Sequence, residues 1–334
     1  MIIETTSYPR AALIGNPSDG YYGRTIAFLF SNFSARVTLF ESPELEIVPA
    51  QYDSNIFQGI NSLVNDVNLY GYYGGIRLLK AAIKKFHDYA ASRKIELHRK
   101  NFTIRYRSDI PFRLGLAGSS AIITAVIRAL ARFYEVQIAP EQLANLVLSV
   151  EKEELKISAG LQDRVAQAFE TPVYMDFNKE LMQERGYGDY RPLDPDIFPK
   201  LYIAYRRDLS EGSEVVHNDF SERYHFGDME AHRAVGEWAD LTLLALDALE
   251  KDDQPKLSEL INRNFDIRRR VMNIAPKNIE MVETARSAGV SAKFTGSGGA
   301  IIGTYSDELV YDALKVRLNA IGVEVIKPRI VNNR

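Results

Sequence analysis

Apolar positions recur along this chain with two periods, and the change from one to the other marks its elements. Arg10 to Ile14, Arg24 to Phe30, Ser34 to Phe40 and Leu45 to Val48 are β-branched or aromatic runs of strand length. Asn-Pro-Ser-Asp-Gly, from Asn16 to Gly20, and Glu-Ser-Pro, from Glu41 to Pro43, punctuate them as turns. From Gly75 to Lys94 the spacing lengthens, and Ile76, Leu79, Ile83, Phe86 and Tyr89 follow a helical period. Phe102 to Tyr106 returns to strand. Ser119 to Phe133 predicts a helix with Ile122, Ile123, Val126, Ile127 and Leu130 on one face. Glu141 to Leu155 predicts another, with Pro140 at a first-turn position that tolerates proline.

From Asn178 to Pro199 periodicity fades while glycine and proline gather, so a boundary is expected there, with domains at 1–190 and 191–334. Beyond it the pattern predicts a strand at Leu201 to Tyr205 and helices at Met229 to Leu249, Lys256 to Met272 and Asn278 to Ala288, the last capped by Gly289. Strands at Val290 to Phe294 and Ala300 to Tyr305, a helix at Ser306 to Ala320 and a strand at Val323 to Ile326 complete the chain. Mixed elements in both halves predict an α+β class with two domains.

Composition narrows the range of partners. The 41 basic and 44 acidic residues leave a net charge of −3, which offers no electrostatic footprint for nucleic acid or an anionic membrane. Cysteine is absent, which excludes disulfides and thiolate metal sites. Met1 to Arg10 carries an acid and no apolar leader core, and no run approaches the roughly 18 apolar residues of a membrane span. A soluble cytoplasmic protein is expected.

Four segments carry candidate chemistry. Pro111-Phe-Arg-Leu-Gly-Leu-Ala-Gly-Ser-Ser-Ala121 joins a strand to an apolar helix. Its glycines permit close backbone approach, and the helix aims free N–H groups at the loop, an arrangement that binds phosphate. A hydroxyl at Ser119 or Ser120 suits Mg²⁺; the plainer alternative is a tight turn with a serine cap. No Walker or dinucleotide-binding glycine pattern is present. Lys293-Phe-Thr-Gly-Ser-Gly-Gly299 is either a hairpin or a second ligand loop. The turn after Ile14 presents Asn16, Ser18, Asp19, Tyr21 and Tyr22, groups that bond their own backbone or grip a polyol. Among the acids of Glu151 to Asp163, Glu151, Glu153 and Glu154 end a charged helix, where such acids mostly face water, whereas Asp163 opens an apolar segment as a cap or a site carboxylate.

Taken in order, these segments resemble the GHMP kinase superfamily over nearly the whole chain. Arg10-x-x-Leu-Ile-Gly-x-x-x-Asp19 is similar to its first motif, Pro111-x-x-x-Gly-Leu-x-Gly-Ser-Ser-Ala121 to its phosphate loop, Ser158-Ala-Gly-Leu-Gln-Asp163 to its catalytic-aspartate segment and Lys293-x-Thr-Gly-Ser-Gly-Gly299 to its third motif. Leu13 to Ile26, Gly71-Tyr-Tyr-Gly-Gly-Ile-Arg-Leu-Leu79, Ala159 to Gln167 and Asn264-Phe-Asp-Ile-Arg-Arg-Arg270 resemble the glucuronokinase branch. Two departures stand out: Ala117 is an extra residue in the phosphate loop, and Asn16 stands where galactokinases carry glutamate.

The resemblance implies a two-domain GHMP kinase fold, with an N-terminal domain of a type shared with a ribosomal protein and a ferredoxin-like C-terminal domain. It implies an ATP- and Mg²⁺-dependent kinase acting on a small sugar or sugar acid, with D-glucuronate as the first expectation. Another sugar or heptose, or a non-catalytic ATP- and sugar-binding relative, is the alternative. It assigns Asp163 and Arg10 to catalysis. Gly115, Leu116, Ala117, Gly118, Ser119, Ser120, Ala121, Gly296, Ser297 and Gly298 are assigned to ATP. Ser120 and Glu151 are assigned to Mg²⁺, and Asn16, Asp19, Tyr21, Tyr22, Arg24 and Arg268 to the substrate. A substrate carboxylate calls for an arginine fork, for which Arg24 ranks slightly above Arg268, with Arg164, Arg269 and Arg270 behind.

Overall fold

Strand pairing reaches across long stretches of sequence and sets the architecture. The computed structural model describes residues 1–50, 53, 74–157, 159–206 and 214–333. Two compact units emerge. Met1–Pro9, Phe33–Phe112 and Gly118–Ala168 form the first; Arg10–Asn32, Arg113–Ala117 and Phe169–Arg334 form the second. Both are discontinuous, so they differ from a single cut at 190/191. The expected boundary region holds a helix, α5 (Lys179–Arg185), and a strand, β8 (Asp189–Pro192), that pairs with β7 (Val173–Asp176) inside the second unit.

The first unit carries one sheet in the order β1-β4-β6-β5: Ile2–Ser7, Ala35–Ser42, Asn101–Ser108 and Glu46–Val48. Helix α2 (Gly118–Phe133) lies on β1 and β4, and α1 (Ile76–Ser92) lies on α2. In α1 the buried stripe is Leu78, Leu79, Ala82, Phe86 and Ala90, turned from the predicted face because alanines complete it. Asp53 sits over the start of α1, accepting from the Ile76 N–H at 3.3 Å and from the Tyr106 hydroxyl at 3.0 Å. Helices α3 (Pro140–Ser149) and α4 (Gln162–Phe169), the latter as far as Ala168, complete this unit.

The second unit carries two antiparallel sheets. One has the order β2-β3-β7-β8, with β2 at Arg10–Ile14 and β3 at Arg24–Leu29. The other has the order β10-β11-β9-β12: Lys293–Phe294, Ala300–Thr304, Leu201–Tyr205 and Glu324–Ile326. Helices α6 (Glu214–His225), α7 (Met229–Glu250), α8 (Gln254–Val271), α9 (Pro276–Ser287) and α10 (Glu308–Ala320) follow. Tyr202, Phe265, Phe294, Ile301 and Leu314 belong to its buried core. Among the described residues no helix is long and apolar enough to cross a membrane.

Candidate active site

In the second unit the site is built on backbone carbonyls held from behind. Strand β2 ends at Gly15, whose φ of 91° and crowding by Thr25 Cα, 2.9 Å from where a Cβ would lie, require glycine. Asn264, buried on α8, accepts from the Gly15 N–H at 2.6 Å and donates to the Asn16 carbonyl at 3.0 Å. One turn further, Arg268 donates to the carbonyls of Gly296 at 2.7 Å and Ser297 at 3.0 Å, with its guanidinium 5.0 Å from the Phe294 ring centre. Lys293 Nζ donates to the carbonyls of Ala12 and Phe294, each at 2.7 Å. Arg10 Nη1 donates to the Thr295 carbonyl and, at 3.4 Å, to that of Gly115. Asn16 Nδ2 reaches the carbonyls of Phe294 and Gly296 at 3.4 Å. Every carbonyl from Phe294 to Ser297 therefore accepts from a buried side chain, which fixes the third motif as a rigid loop.

Burial and mutual repulsion act on these cations. Burial, then the charges of Arg268 and Arg10, hold the Lys293 ammonium well below the usual lysine range. Burial pulls the Arg268 guanidinium down to about 10 against the opposing charges of Asp19 and Tyr21. Arg268 Nε and Asn16 Oδ1 are buried with no hydrogen-bond partner among the described residues.

Residues 113–117 pack against the third motif through glycine. Gly115 has a φ of 63°, and a Cβ there would lie 2.9 Å from Ser297 N. A Cβ on Gly296 would strike the Gly115 carbonyl. Leu116 is buried, and its carbonyl accepts from the Arg10 N–H at 3.1 Å. The extra residue Ala117 adopts φ 62°, so the insertion is absorbed by a left-handed step. Gly298 is followed by Gly299, whose N–H donates to Asn278 Oδ1 at 3.0 Å.

The remaining expected substrate contacts divide. Asp19 lies in the short turn Ser18–Tyr21 and acts electrostatically on Arg268 and Tyr21. Tyr21 packs its ring against Phe220 and Tyr224, with centres 5.2 and 4.7 Å apart, and Tyr22 is exposed with Lys179 over its face. Arg24 Nε donates to Asp176 Oδ2 at 2.7 Å across the β3–β7 register, an ion pair within the fold. Arg269 and Arg270 pair with Glu283 and Glu237 on the surface.

In the first unit, α2 begins at Gly118, so its first turn, with Ser119 and Ser120, presents the positive end of a helix dipole. Ser120 and Ala121 are buried. After α3 the backbone widens into a π-helical turn, Val150–Glu154, closed by Leu155 N–H to the Val150 carbonyl at 3.1 Å. That turn sends Glu151 inward while Glu153 and Glu154 pair with Lys85 and Lys84 outside. Burial pushes the Glu151 carboxyl up, opposed by the charge and hydrogen bond of Arg164. Asp163 lies in the first turn of α4, where its Oδ2 accepts from Arg164 Nη1 at 3.0 Å. Arg164 is itself buried and engaged with acids, so it is not an arginine fork open to a substrate carboxylate. Ser158 of this segment, and Gly71 to Tyr73 of the Gly71–Leu79 segment, lie outside the described residues.

The donor set fits Mg²⁺. Arg164 donates to Oε2 of Glu151, and a carboxylate carries a second oxygen that can serve a cation. Mg²⁺ takes one or two protein oxygens and fills its other positions with phosphate and water. Among the described residues no three acidic or imidazole groups cluster as a self-sufficient metal cage.

Two residues outside the expected site, and one expected at a substrate carboxylate, matter here. Asn264 and Lys293 orient the loops, and Arg164 joins two carboxylates. The i, i+4 spacing of Asn264 and Arg268 is the sequence signal for a shared helix face.

Comparison with known proteins identifies the family of the chain. Residues 77–171 match the family described as GHMP kinases N terminal domain, and residues 245–322 match GHMP kinases C terminal. The chain is 43% identical to glucuronokinase 1 of Arabidopsis thaliana over 306 residues, covering 90% of this chain and 84% of that protein. It is 44% identical to probable glucuronokinase 2 of the same plant over 308 residues, with the same coverage. The crystal structure of Lactococcus lactis galactokinase complexed with galactose superposes with a TM-score of 0.75 at 16% identity, covering 99% of this chain and 94% of that one, a likeness of fold.

Proposed function

This chain belongs to the GHMP kinase family and is an ATP-dependent sugar kinase, and from that premise we propose that it phosphorylates the anomeric hydroxyl of D-glucuronate, giving glucuronate 1-phosphate and ADP. The observation that carries the acceptor is the 43% identity to a glucuronokinase over 84% of that protein. The reading takes the chain to act in the cytoplasm, as its composition suggests.

Phosphoryl transfer asks mainly for positioning and charge neutralisation. The loop 115–121 and the start of α2 are assigned to the triphosphate, because a helix N-terminus favours anions. Mg²⁺, held through Ser120 and Glu151, supplies neutralisation of phosphate charge when bound. Asp163 orients the acceptor hydroxyl and accepts its proton. Arg10, fixed by two carbonyls, offers a preorganised positive charge to the transferring group. Asn16, Asp19 and Arg268 are assigned to the sugar.

A coupled ADP-release assay across sugars and uronic acids tests the acceptor, with phosphorus NMR to identify an anomeric phosphate. Glucuronate is expected to exceed glucose in kcat/KM by about a hundredfold, the discrimination available to a charge-assisted contact. Preference for an uncharged sugar, or phosphate on another hydroxyl, would replace the assignment.

A further inference from the structure

The buried side chain linking the two acids of the first unit has no assigned role. Arg164 follows Asp163 in the first turn of α4, yet its guanidinium folds back over the residues before the helix. Nη1 donates to the Gly160 carbonyl at 2.8 Å and to Asp163 Oδ2 at 3.0 Å. Nε donates to Glu151 Oε2 at 2.6 Å, and Nη2 pairs with the same oxygen. One planar group therefore contacts a main-chain carbonyl, a helix-start carboxylate and a carboxylate delivered by the π-helical turn. The side chains of Arg164 and Glu151 are 6% and 2% exposed, and that of Asp163 is 17% exposed. Its exposure marks Asp163 as the acid with access to a reactant, and the other two as its support.

We infer that Arg164 is the positioning residue of this kinase: it sets the carboxylate of Asp163, with Glu151 and the Gly160 carbonyl anchoring the rest of its guanidinium. A lone aspartate in a first helical turn has several rotamers, and a catalytic carboxylate gains from being restricted to one. The arginine supplies that restriction with a fork whose other arm is anchored on a nearly inaccessible acid. Lysine, a point charge without a planar fork, cannot hold all three acceptors together. This inference rests on the reading of Asp163 as the group beside the acceptor hydroxyl.

A double-mutant cycle tests it. Arg164→Met, Arg164→Lys, Asp163→Asn and the pair Asp163→Asn/Arg164→Met are assayed with whichever sugar the wild type turns over fastest. Melting temperatures of the metal-free proteins define where each is folded. Arg164→Met is expected to lower kcat about thirtyfold, with KM for ATP and sugar within about threefold, as for a group acting only in the transition state. Arg164→Lys keeps a positive charge beside Glu151 and is expected to lose about tenfold, partial rescue by the conservative variant. In the Asp163→Asn background the Arg164→Met change should have little further effect, because a residue that acts through another loses its influence when the other is gone. If Arg164→Met keeps kcat within twofold of wild type, or lowers it by the same factor in both backgrounds, the inference is overturned. Should Arg164→Met fail to fold, Arg164→Lys carries the cycle under the same criteria. Failure of glucuronate as acceptor would strike only the substrate assignment, since the cycle runs on any sugar that turns over.

Discussion

Glu151 illustrates how much of a site depends on local backbone that sequence does not display. Its position twelve residues before Asp163 is legible, and so is the resemblance that links it to Mg²⁺. What the pattern does not reveal is the π-helical turn that buries Glu151 while its neighbours Glu153 and Glu154 face water. A run of acids at a helix end looks uniformly solvated when its last turn is taken as α-helical. Burial raises the proton affinity of Glu151, and Arg164 acts against that rise, so the acid and its partner form one unit. Replacing Glu151 by Gln keeps the shape and removes the charge. The Mg²⁺ concentration for half-maximal activity at saturating ATP is expected to rise by about tenfold, in line with loss of one hard-oxygen ligand. An unchanged midpoint would confine Glu151 to service as the counter-ion of Arg164.

At the scale of elements, helix α8 has the widest reach. Asn264 and Arg268, one turn apart on its buried face, hold the turn after β2 and the loop before β11. The run Arg268 to Arg270 reads as a basic surface, and two of its members are that; only Arg268 turns inward, because successive helical positions diverge. Arg24 misleads in the opposite way. It lies beside the polar turn in sequence, but β3 pairs with β7, and that register sets it opposite Asp176. No local pattern announces a partner 152 residues away. Arg268, whose arms meet carbonyls rather than a carboxylate, is therefore proposed ahead of Arg24 for a substrate carboxylate. Arg24→Met is expected to leave the glucuronate-to-glucose preference within about twofold, the modest effect of losing a partly exposed ion pair. Arg268→Met, which also releases the Gly296 and Ser297 carbonyls, is expected to raise KM for glucuronate roughly tenfold with a smaller rise in KM for ATP. Steady-state kinetics on both sugars decides; collapse of the preference in Arg24→Met would restore the original order.

At the scale of the whole molecule, the helices and most strands are legible because apolar spacing is local, while the assignment of strands to units is not. Strands β2 and β3 lie between β1 and β4 in sequence, yet their sheet is completed by β7 and β8. Strand β1 also escapes the pattern, since its core side includes Thr5 and Ser7 with Ile3. Interleaving of this kind makes global stability depend on buried groups that brace distant segments, and Lys293 is the clearest of them. Its ammonium ties β2 to β10 through two carbonyls while burial, Arg268 and Arg10 hold its proton affinity well below that of a free lysine. The sign of the linkage follows. Between the depressed folded value and the ordinary lysine value of about 10.4, the unfolded chain binds a proton that the folded chain lacks, so stability rises with pH. Below the folded value both states carry the proton, and the penalty is constant. Urea midpoints should therefore climb as pH rises toward the ordinary lysine value, with a slope of at most about 1.4 kcal/mol per pH unit for one proton. Tyr106 and Tyr202, whose hydroxyls burial pushes upward, titrate above this range and do not contribute. Lys293→Met keeps the apolar stem, removes the charge and leaves the Ala12 and Phe294 carbonyls without this donor, so it lowers stability at every pH. The diagnostic is the slope, which is expected to flatten in the variant; an equal slope in both proteins would mean that the two carbonyls keep Lys293 charged in the folded state.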